Sequence, residues 1–333
     1  MQSLLSYNTF GIDQSCKKIY EPETIDDLHN ILATIKKDPL LIIGGGSNLL
    51  LTKDFEGNVL HLKIKGIEAT PYSQEQDSIL LRCGAGETWD DIVVYAVSHG
   101  YYGIENLSII PGEVGASAVQ NIGAYGIEVK DYIYQIEAIE IESGNEVMIH
   151  PENCDYAYRY SRFKNEWKGK YVITHVTYKL KTVFTPYTQY GNIQNILTQK
   201  GITNPTAKDI RDAIIDVRNA KLPDPKVEGN AGSFFINPII PKEKFKELLN
   251  QYPDMPHYNV SENKEKIPAG WMIEQCGWKG KSLGPAGVHH KQALVLVNKG
   301  NAKGADIVRL CKQIQEDVFA KFGIRISPEV NII

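Results

Sequence analysis

What this chain lacks narrows it quickly. Its five cysteines, Cys16, Cys83, Cys154, Cys276 and Cys311, are odd in number and scattered along 333 residues. There is no CxxC pair and no His/Cys cluster, so neither a disulfide framework nor a structural zinc site is indicated. The formal net charge is only −4 and no block of like charges occurs, which leaves no electrostatic footprint for nucleic acid or an anionic membrane. No apolar run approaches membrane-spanning length. The start, MQSLLSYNTFGID, has neither the basic residues nor the apolar stretch of a signal peptide. These absences predict a cytoplasmic protein with reduced thiols. The eight histidines are dispersed. His289 and His290 precede a strand without a third ligand nearby, so no metal is expected.

What is present describes an ordinary globular chain, 42% hydrophobic and 23% charged, long enough for two or three domains. KKIYEPE reads as a strand, and Thr24 with Asp27 forms a capping box ahead of a helix whose Ile25, Leu28, Ile31, Leu32 and Ile35 share one face. LLII (40–43) is a buried strand running into GGGSNLLL. A strand at ILLRCGAG, a helix at ETWDDIVVYAVSHG ended by Gly100, and strands at IEAIEIE, EVMIH and YVITHVTYKL predict an α+β sheet domain. Thr206 and Asp209 cap a further helix with Ile210, Ala213, Ile214 and Val217 inward. KLPDPK (221–226) ends it and reads as a hinge. The last region holds a helix around FKELL, the stretch PAGWMIEQCGW, a strand at ALVLV, a last helix from about Ala305 to Phe322, and the alternating tail GIRISPEVNII.

Five stretches carry chemistry. GGGSNLL (44–50) follows a buried strand and offers bare backbone amides to a phosphate, yet fits neither the G-x-x-x-x-G-K-[ST] nor the G-x-G-x-x-G pattern. A tight strand–turn–strand is the plain alternative. GAGETW (84–89) is read as a helix start. PGEVGASAVQNIGAYG (111–126) combines glycines with Ser117, Gln120 and Asn121 and shows little periodicity. Such a segment suits a flat polar heterocycle whose ring edges need several fixed partners; a structural loop explains the glycines less well than the amides. In GNAGSFFINP (229–238), Ser233 stands where bare backbone meets an apolar strand, either as a turn serine bonded to its own backbone or as a positioned hydroxyl. YRYSRFK (158–164) places Arg159 among tyrosines, where a guanidinium can be held for a carboxylate. SPEV (327–330) places Glu329 after a proline in an apolar strand, where its carboxyl is expected to be partly desolvated and to titrate above the usual range. Taken singly, Arg159 reads as a surface ion-pair residue and Glu329 as an edge-strand charge.

NTFG (8–11), GGGSN, PGxxGAxxxQNIGAYG, YRxSxFK, RNAKLPDPK, GNAGSFFxNP and the terminal PEV occur in an order that resembles the UDP-N-acetylenolpyruvoylglucosamine reductases, over nearly the whole chain. The insertion at TQYGNI, carrying Tyr190, is similar to the type with a tyrosine loop over the substrate. Ala118 departs from the family pattern, which has proline there, and implies a less stiff loop. The resemblance implies a two-part FAD module of the vanillyl-alcohol-oxidase (PCMH) type plus a C-terminal α+β substrate domain. The expected boundaries are 1–68 with 324–333 and 69–222 for the two FAD subdomains, and 223–323 for the substrate domain.

It further implies an enzyme of peptidoglycan precursor synthesis, in which NADPH reduces FAD and the flavin delivers hydride to carbon 3 of UDP-N-acetylglucosamine enolpyruvate. Arg159 and Glu329 would stabilise the resulting enolate and Ser233 would protonate it. FAD would lie against Gly44, Gly45, Gly46, Ser47, Asn48, Gly115, Ser117, Gln120, Asn121, Gly123 and Ala124. Tyr190, Lys221, Asn237 and Gln292 would hold the substrate, chiefly its diphosphate. No histidine or cysteine flanks GGGSNLL, so the FAD is expected to be non-covalent. The protein is expected to act as a monomer, with a UDP-sugar and NADPH as its only partners. A sugar or lactone oxidase of the same flavin fold is the alternative enzyme, but leaves GNAGSFF and PEV unexplained. A nucleotide-sensing domain is the non-enzymatic one.

Overall fold

A computed structural model describes residues 1–35, 38–189 and 192–333. The chain divides into two compact units, one of residues 1–2, 16–45 and 55–220, the other of residues 3–15, 46–54 and 221–333.

The first unit opens as the sequence pattern dictates. The Thr24 hydroxyl accepts from the Asp27 amide at 3.0 Å and Asp27 accepts from the Thr24 amide at 3.2 Å, starting the Ile25–Ile35 helix. Strands Ser15–Tyr20, Phe55–His61 and Leu40–Ile43 are parallel, with Phe55–His61 in the middle. The expected β-α-β unit is therefore spread by an inserted central strand. A second, antiparallel sheet runs in the order Glu146–Ile149, Ile133–Glu140, Tyr171–Lys181, Ser78–Gly84, Ile67–Pro71. Val176 pairs with Ile136 on one side and Cys83 on the other. Both sheets share a core with the Trp89–Ser98 helix. Trp89 is fully buried, donates from Nε1 to the Leu107 carbonyl at 2.8 Å, and meets the Tyr178 ring edge-on at 5.6 Å. The capped Ala207–Lys221 helix buries Ile210, Ala213, Ile214 and Val217, as its spacing requires.

The second unit is built on strands Asn230–Ser233, Val295–Asn298, Ala286–Val288 and Ser282–Leu283, in that spatial order. The Gly304–Phe322 helix buries one face in the same core as Phe234 and Phe235. Helices Lys242–Gln251 and Ala269–Gln275 complete it. The alternation of the tail is real in burial, with Ile324, Ile326 and Val330 inward. A regular ladder forms only at Asn331–Ile332, parallel to Leu49–Leu50. By contact, residues 324–333 and 46–54 both group with the second unit, whereas the sequence reading assigns them to the first subdomain. The pairing of the tail with Leu49–Leu50 carries both segments together.

Candidate active site

In the second unit, NTFG is a clamp. Asn8 Nδ2 donates to the Leu4 and Ile12 carbonyls at 2.8 and 2.9 Å, fixing the turn. Thr9 then reaches two loops: its amide donates to the Gly46 carbonyl at 3.2 Å and its hydroxyl to the Asn230 carbonyl at 2.6 Å. Gly46 has φ +63°, and a Cβ there would overlap the Tyr7 carbonyl, so the position needs glycine. The end of GGGSN is thus tied to the strand that carries Ser233.

Ser233 ends that strand opposite Val295. Asn230 Oδ1 accepts from the Gly232 amide at 2.9 Å, which forms the turn without the serine. The Ser233 side chain is half-buried, and its hydroxyl makes no hydrogen bond among the described residues, contrary to the turn-serine reading. Immediately after it, Phe234 and Phe235 are fully buried and pack edge-on at 5.2 Å, each contributing about 1.5–3 kcal/mol by burial. These rings fix the backbone that presents the hydroxyl.

The tail lies alongside. The Ile236 amide donates to Ser327 at 2.9 Å and the Glu329 amide to Phe234 at 2.8 Å. Asn48 Nδ2 donates to the Glu329 carbonyl at 3.4 Å, and the Asn331 amide donates to the Asn48 carbonyl at 3.1 Å. Asn48, Ser233 and Glu329, far apart in sequence, therefore sit on adjoining backbone segments. Asn237 Oδ1 caps the Ala269 amide at 2.9 Å. A Cβ on Gly270 would lie 3.3 Å from Gln292 Oε1, so Asn237 and Gln292 meet at the first turn of the same helix. Lys221 is exposed where its helix ends. Tyr190 lies outside the described residues.

The first unit holds the other half of the expected set. A Cβ on Gly44 would lie 3.2 Å from Glu113 Oε2, and one on Gly45 would lie 3.4 Å from the Gly112 backbone. The start of the glycine loop thus packs on the entry to the Val114–Gln120 helix. That two-turn helix is where the sequence predicts an irregular stretch; small residues hid its period. Gly115 lets it approach the sheet, its amide donating to Ala85 at 2.9 Å.

Two of the expected cofactor contacts also have side-chain partners within the fold. The buried Ser117 hydroxyl donates to the Val114 carbonyl at 2.7 Å and lies 2.9 Å from the Tyr178 hydroxyl. Asn121 is fully buried at φ +44°, ending the helix. Its Nδ2 donates to Glu128 at 2.9 Å and to the Ala157 carbonyl at 2.8 Å, while Oδ1 accepts from the Lys130 amide at 3.2 Å. Buried polar groups are satisfied inside the fold, so both hold the loop. Gln120, Gly123 and Ala124 remain half-buried along it.

Arg159 reaches this loop. Its Nη2 donates to the Gly123 carbonyl at 2.8 Å, and its own carbonyl accepts from Lys164 Nζ at 3.0 Å. At φ +56° its backbone is strained for a non-glycine residue.

Sequence reasoning missed a second group here. Asp90 accepts from Arg211 through both oxygens, at 2.6 and 2.7 Å, and from the Ile109 amide at 2.6 Å. Burial pulls its carboxyl up, but the Arg211 fork and the Ile109 amide outweigh this and hold it below the usual range. Beside them, Arg218 carries a buried Nε with no hydrogen-bond partner among the described residues, and Asn106 a buried Oδ1 in the same condition. Both residues adjoin Tyr125: Asn106 Nδ2 donates to its carbonyl at 3.3 Å, and Arg218 acts on its hydroxyl electrostatically. RNAKLPDPK contains Arg218, but nothing in its helical spacing marks it as polar and inward. Among the described residues no metal-ligating cluster occurs, and no helix is long and apolar enough to cross a membrane.

Residues 17–149 match the family model for an FAD binding domain, and residues 224–333 match that for the C-terminal domain of UDP-N-acetylenolpyruvoylglucosamine reductase. The chain is 51% identical to the UDP-N-acetylenolpyruvoylglucosamine reductase of Bacteroides fragilis, covering 99% of this chain and 98% of that protein. Its identity to the reductase of Flavobacterium johnsoniae is 46%, with the same coverage. That to the Neisseria gonorrhoeae reductase is 44%, covering 98% and 95%. The crystal structure of the reductase from Thermus caldophilus shares the fold, with TM-score 0.67 at 21% identity over 99% of this chain and 96% of that one.

Proposed function

The chain belongs to the UDP-N-acetylenolpyruvoylglucosamine reductase family of FAD-binding oxidoreductases, and from that premise we propose a division of labour among its residues. The α+β architecture, an FAD-binding module followed by a C-terminal α+β domain, is the expected one. Residues 1–68 with 324–333 and residues 69–222 would hold FAD, and 223–323 the substrate.

The residues present fit such a group. The orphaned acceptor on Asn106 and the orphaned donor on Arg218 match a flat ring whose edge offers both a donor and an acceptor, as the flavin's pyrimidine edge does. Gly44, Gly45, Gly46, Ser47 and Asn48 would take the diphosphate through backbone amides. Gly115, Ser117, Gln120, Asn121, Gly123 and Ala124 would line the ring. When bound, FAD supplies the hydride that reduces the enolpyruvyl double bond at carbon 3, having been reduced by NADPH.

The chain's own residues then manage charge and a proton. Addition at carbon 3 leaves negative charge at carbon 2 and the adjoining carboxylate. Arg159 and Glu329 would stabilise it, and the Ser233 hydroxyl would donate a proton to carbon 2. Lys221, Asn237, Gln292 and Tyr190 would hold the sugar nucleotide. The observation that carries this reading is the Ser233 hydroxyl, set by two buried rings beside Glu329 and not engaged by its own turn.

The experiment is a coupled assay on the flavin-loaded protein. NADPH oxidation should depend on the enolpyruvyl UDP-sugar. Oxidation that proceeds with oxygen and a simple sugar instead would favour an oxidase. Flavin should leave the protein on acid precipitation, because no nucleophilic side chain flanks the loop; flavin remaining in the pellet would contradict non-covalent binding. The protein is proposed to act as a cytoplasmic monomer.

A further inference from the structure

The three parallel strands of the first unit end at one edge of their sheet. Ser15–Tyr20 runs into Glu21 and Leu40–Ile43 into the glycine loop at Gly44, while Phe55–His61 ends between them with His61 in register with Ile43. In open sheets of parallel strands, ligands bind beyond this edge. His61 is buried there, its Nδ1 3.2 Å from Glu21 Oε1 and its Nε2 2.8 Å from Glu113 Oε1. Lys63 Nζ lies 3.4 Å from the same Glu21 oxygen, so Glu21 has a second cation. Glu113 has His61 as its cationic partner among the described residues, and its side chain is only 14% exposed. Its other oxygen, Oε2, lies against Gly44, 3.2 Å from where a Cβ would stand. Glu113 also begins the Val114–Gln120 helix, its carbonyl accepting from the Ser117 amide at 3.0 Å.

An ionised carboxylate only accepts hydrogen bonds, and a neutral imidazole has a single N–H to give. Contacts from both ring nitrogens to carboxylates therefore need one more proton, and imidazole is a stronger base than carboxylate. We propose that His61 is a positively charged positioning residue that neutralises Glu113 and so lets the glycine loop accept the anionic diphosphate of FAD. The inference rests on the proposed placement of that diphosphate against residues 44–48, and extends it to a histidine outside the sequence motifs. Without the cation, a largely buried carboxylate would stand beside an anion, and like charges brought together in a poorly hydrated site repel strongly. His61 acts through Glu113: it ties the helix entry to the sheet edge and sets the charge beside the loop. FAD binding is then linked to a proton. Affinity is full while the ring holds that proton and falls as rising pH removes it.

The test is the FAD dissociation constant, read from flavin fluorescence on serial dilution of the holoenzyme between about pH 6 and about pH 9, an interval that includes the histidine range. His61→Gln should bind FAD at least about tenfold more weakly at neutral pH, as expected for an uncompensated like charge. Adding Glu113→Gln to it should recover most of the loss, because the charge that needed compensation is gone. Wild-type affinity should fall with pH, and Glu113→Gln alone should bind FAD tightly with no such fall. Wild-type affinity in His61→Gln, or no recovery in the double variant, would reduce His61 to a structural tie and overturn the proposal. If His61→Gln yields no folded protein, Glu113→Gln decides: loss of the pH dependence supports the proposal, and the wild-type dependence overturns it. Absence of flavin from the wild-type protein would instead refute FAD binding itself, a distinguishable failure.

Discussion

The amide of Glu329 donates to the carbonyl of Phe234 at 2.8 Å, which fixes the terminal PEV segment one residue from Ser233. The strand Asn230–Ser233 is in turn pinned by the Thr9 hydroxyl on the Asn230 carbonyl at 2.6 Å. Two of the three proposed catalytic residues therefore owe their placement to main-chain bonds. Substituting either side chain should leave the backbone of the site in place, so that rate effects can be read as chemistry.

Arg159→Lys should be far from conservative. One guanidinium nitrogen is anchored on Gly123, and the planar fork lets the same group reach a carboxylate in a second direction. An ammonium cannot do both. A loss of about 2–4 kcal/mol in the substrate half-reaction is expected, the range for a group that stabilises an oxyanion. Wild-type turnover would remove Arg159 from the mechanism.

Asn121→Ala should act on stability first. It removes three buried hydrogen bonds and leaves alanine at φ +44°. The unsatisfied partners and the left-handed backbone together should cost about 2–4 kcal/mol, seen as a lower denaturant midpoint at constant slope. Unchanged stability with lost flavin would instead make the side chain a cofactor ligand.

The Asp90–Arg211 pair should make stability depend on acid. Asp90 titrates below its usual range in the folded chain, so the unfolded chain takes up its proton first as pH falls. The stabilisation is present above about pH 4, the ordinary aspartate value, and is lost as pH drops through the lower folded value. Arg211→Met should therefore be less stable than the wild type at neutral pH by about 1–3 kcal/mol, with the gap closing in strong acid. A gap independent of pH would mean that the fork packs rather than pairs.

Legibility followed periodicity. The Thr24 and Thr206 caps, the inward face of Ala207–Lys221 and the strands of the antiparallel sheet could be read because each depends on residues a few positions apart. The Val114–Gln120 helix could not, since glycine, alanine and serine give no apolar stripe. Residue types in short motifs brought out Arg159, Ser233 and Glu329, but the adjacency of Asn48, Ser233 and Glu329 arises from non-local pairing. For Asn121 and Ser117 the sequence leaves open whether a polar side chain in a glycine-rich loop faces a ligand or the loop itself, and the bonds at 2.8 and 2.7 Å show what each meets within the fold. Arg218 was invisible because its significance is a missing partner.

Ser233 carries the central claim, and stopped-flow absorbance of the flavin in Ser233→Ala tests it by following each half-reaction separately. Reduction by NADPH should proceed at near wild-type rate, because that step takes no proton from this hydroxyl. Reoxidation by the enolpyruvyl substrate should slow by at least about 10²-fold, the lower end for a positioned general acid, and Ser233→Cys should recover part of it. Equal slowing of both halves, or of neither, would contradict the assignment of Ser233 as the proton donor.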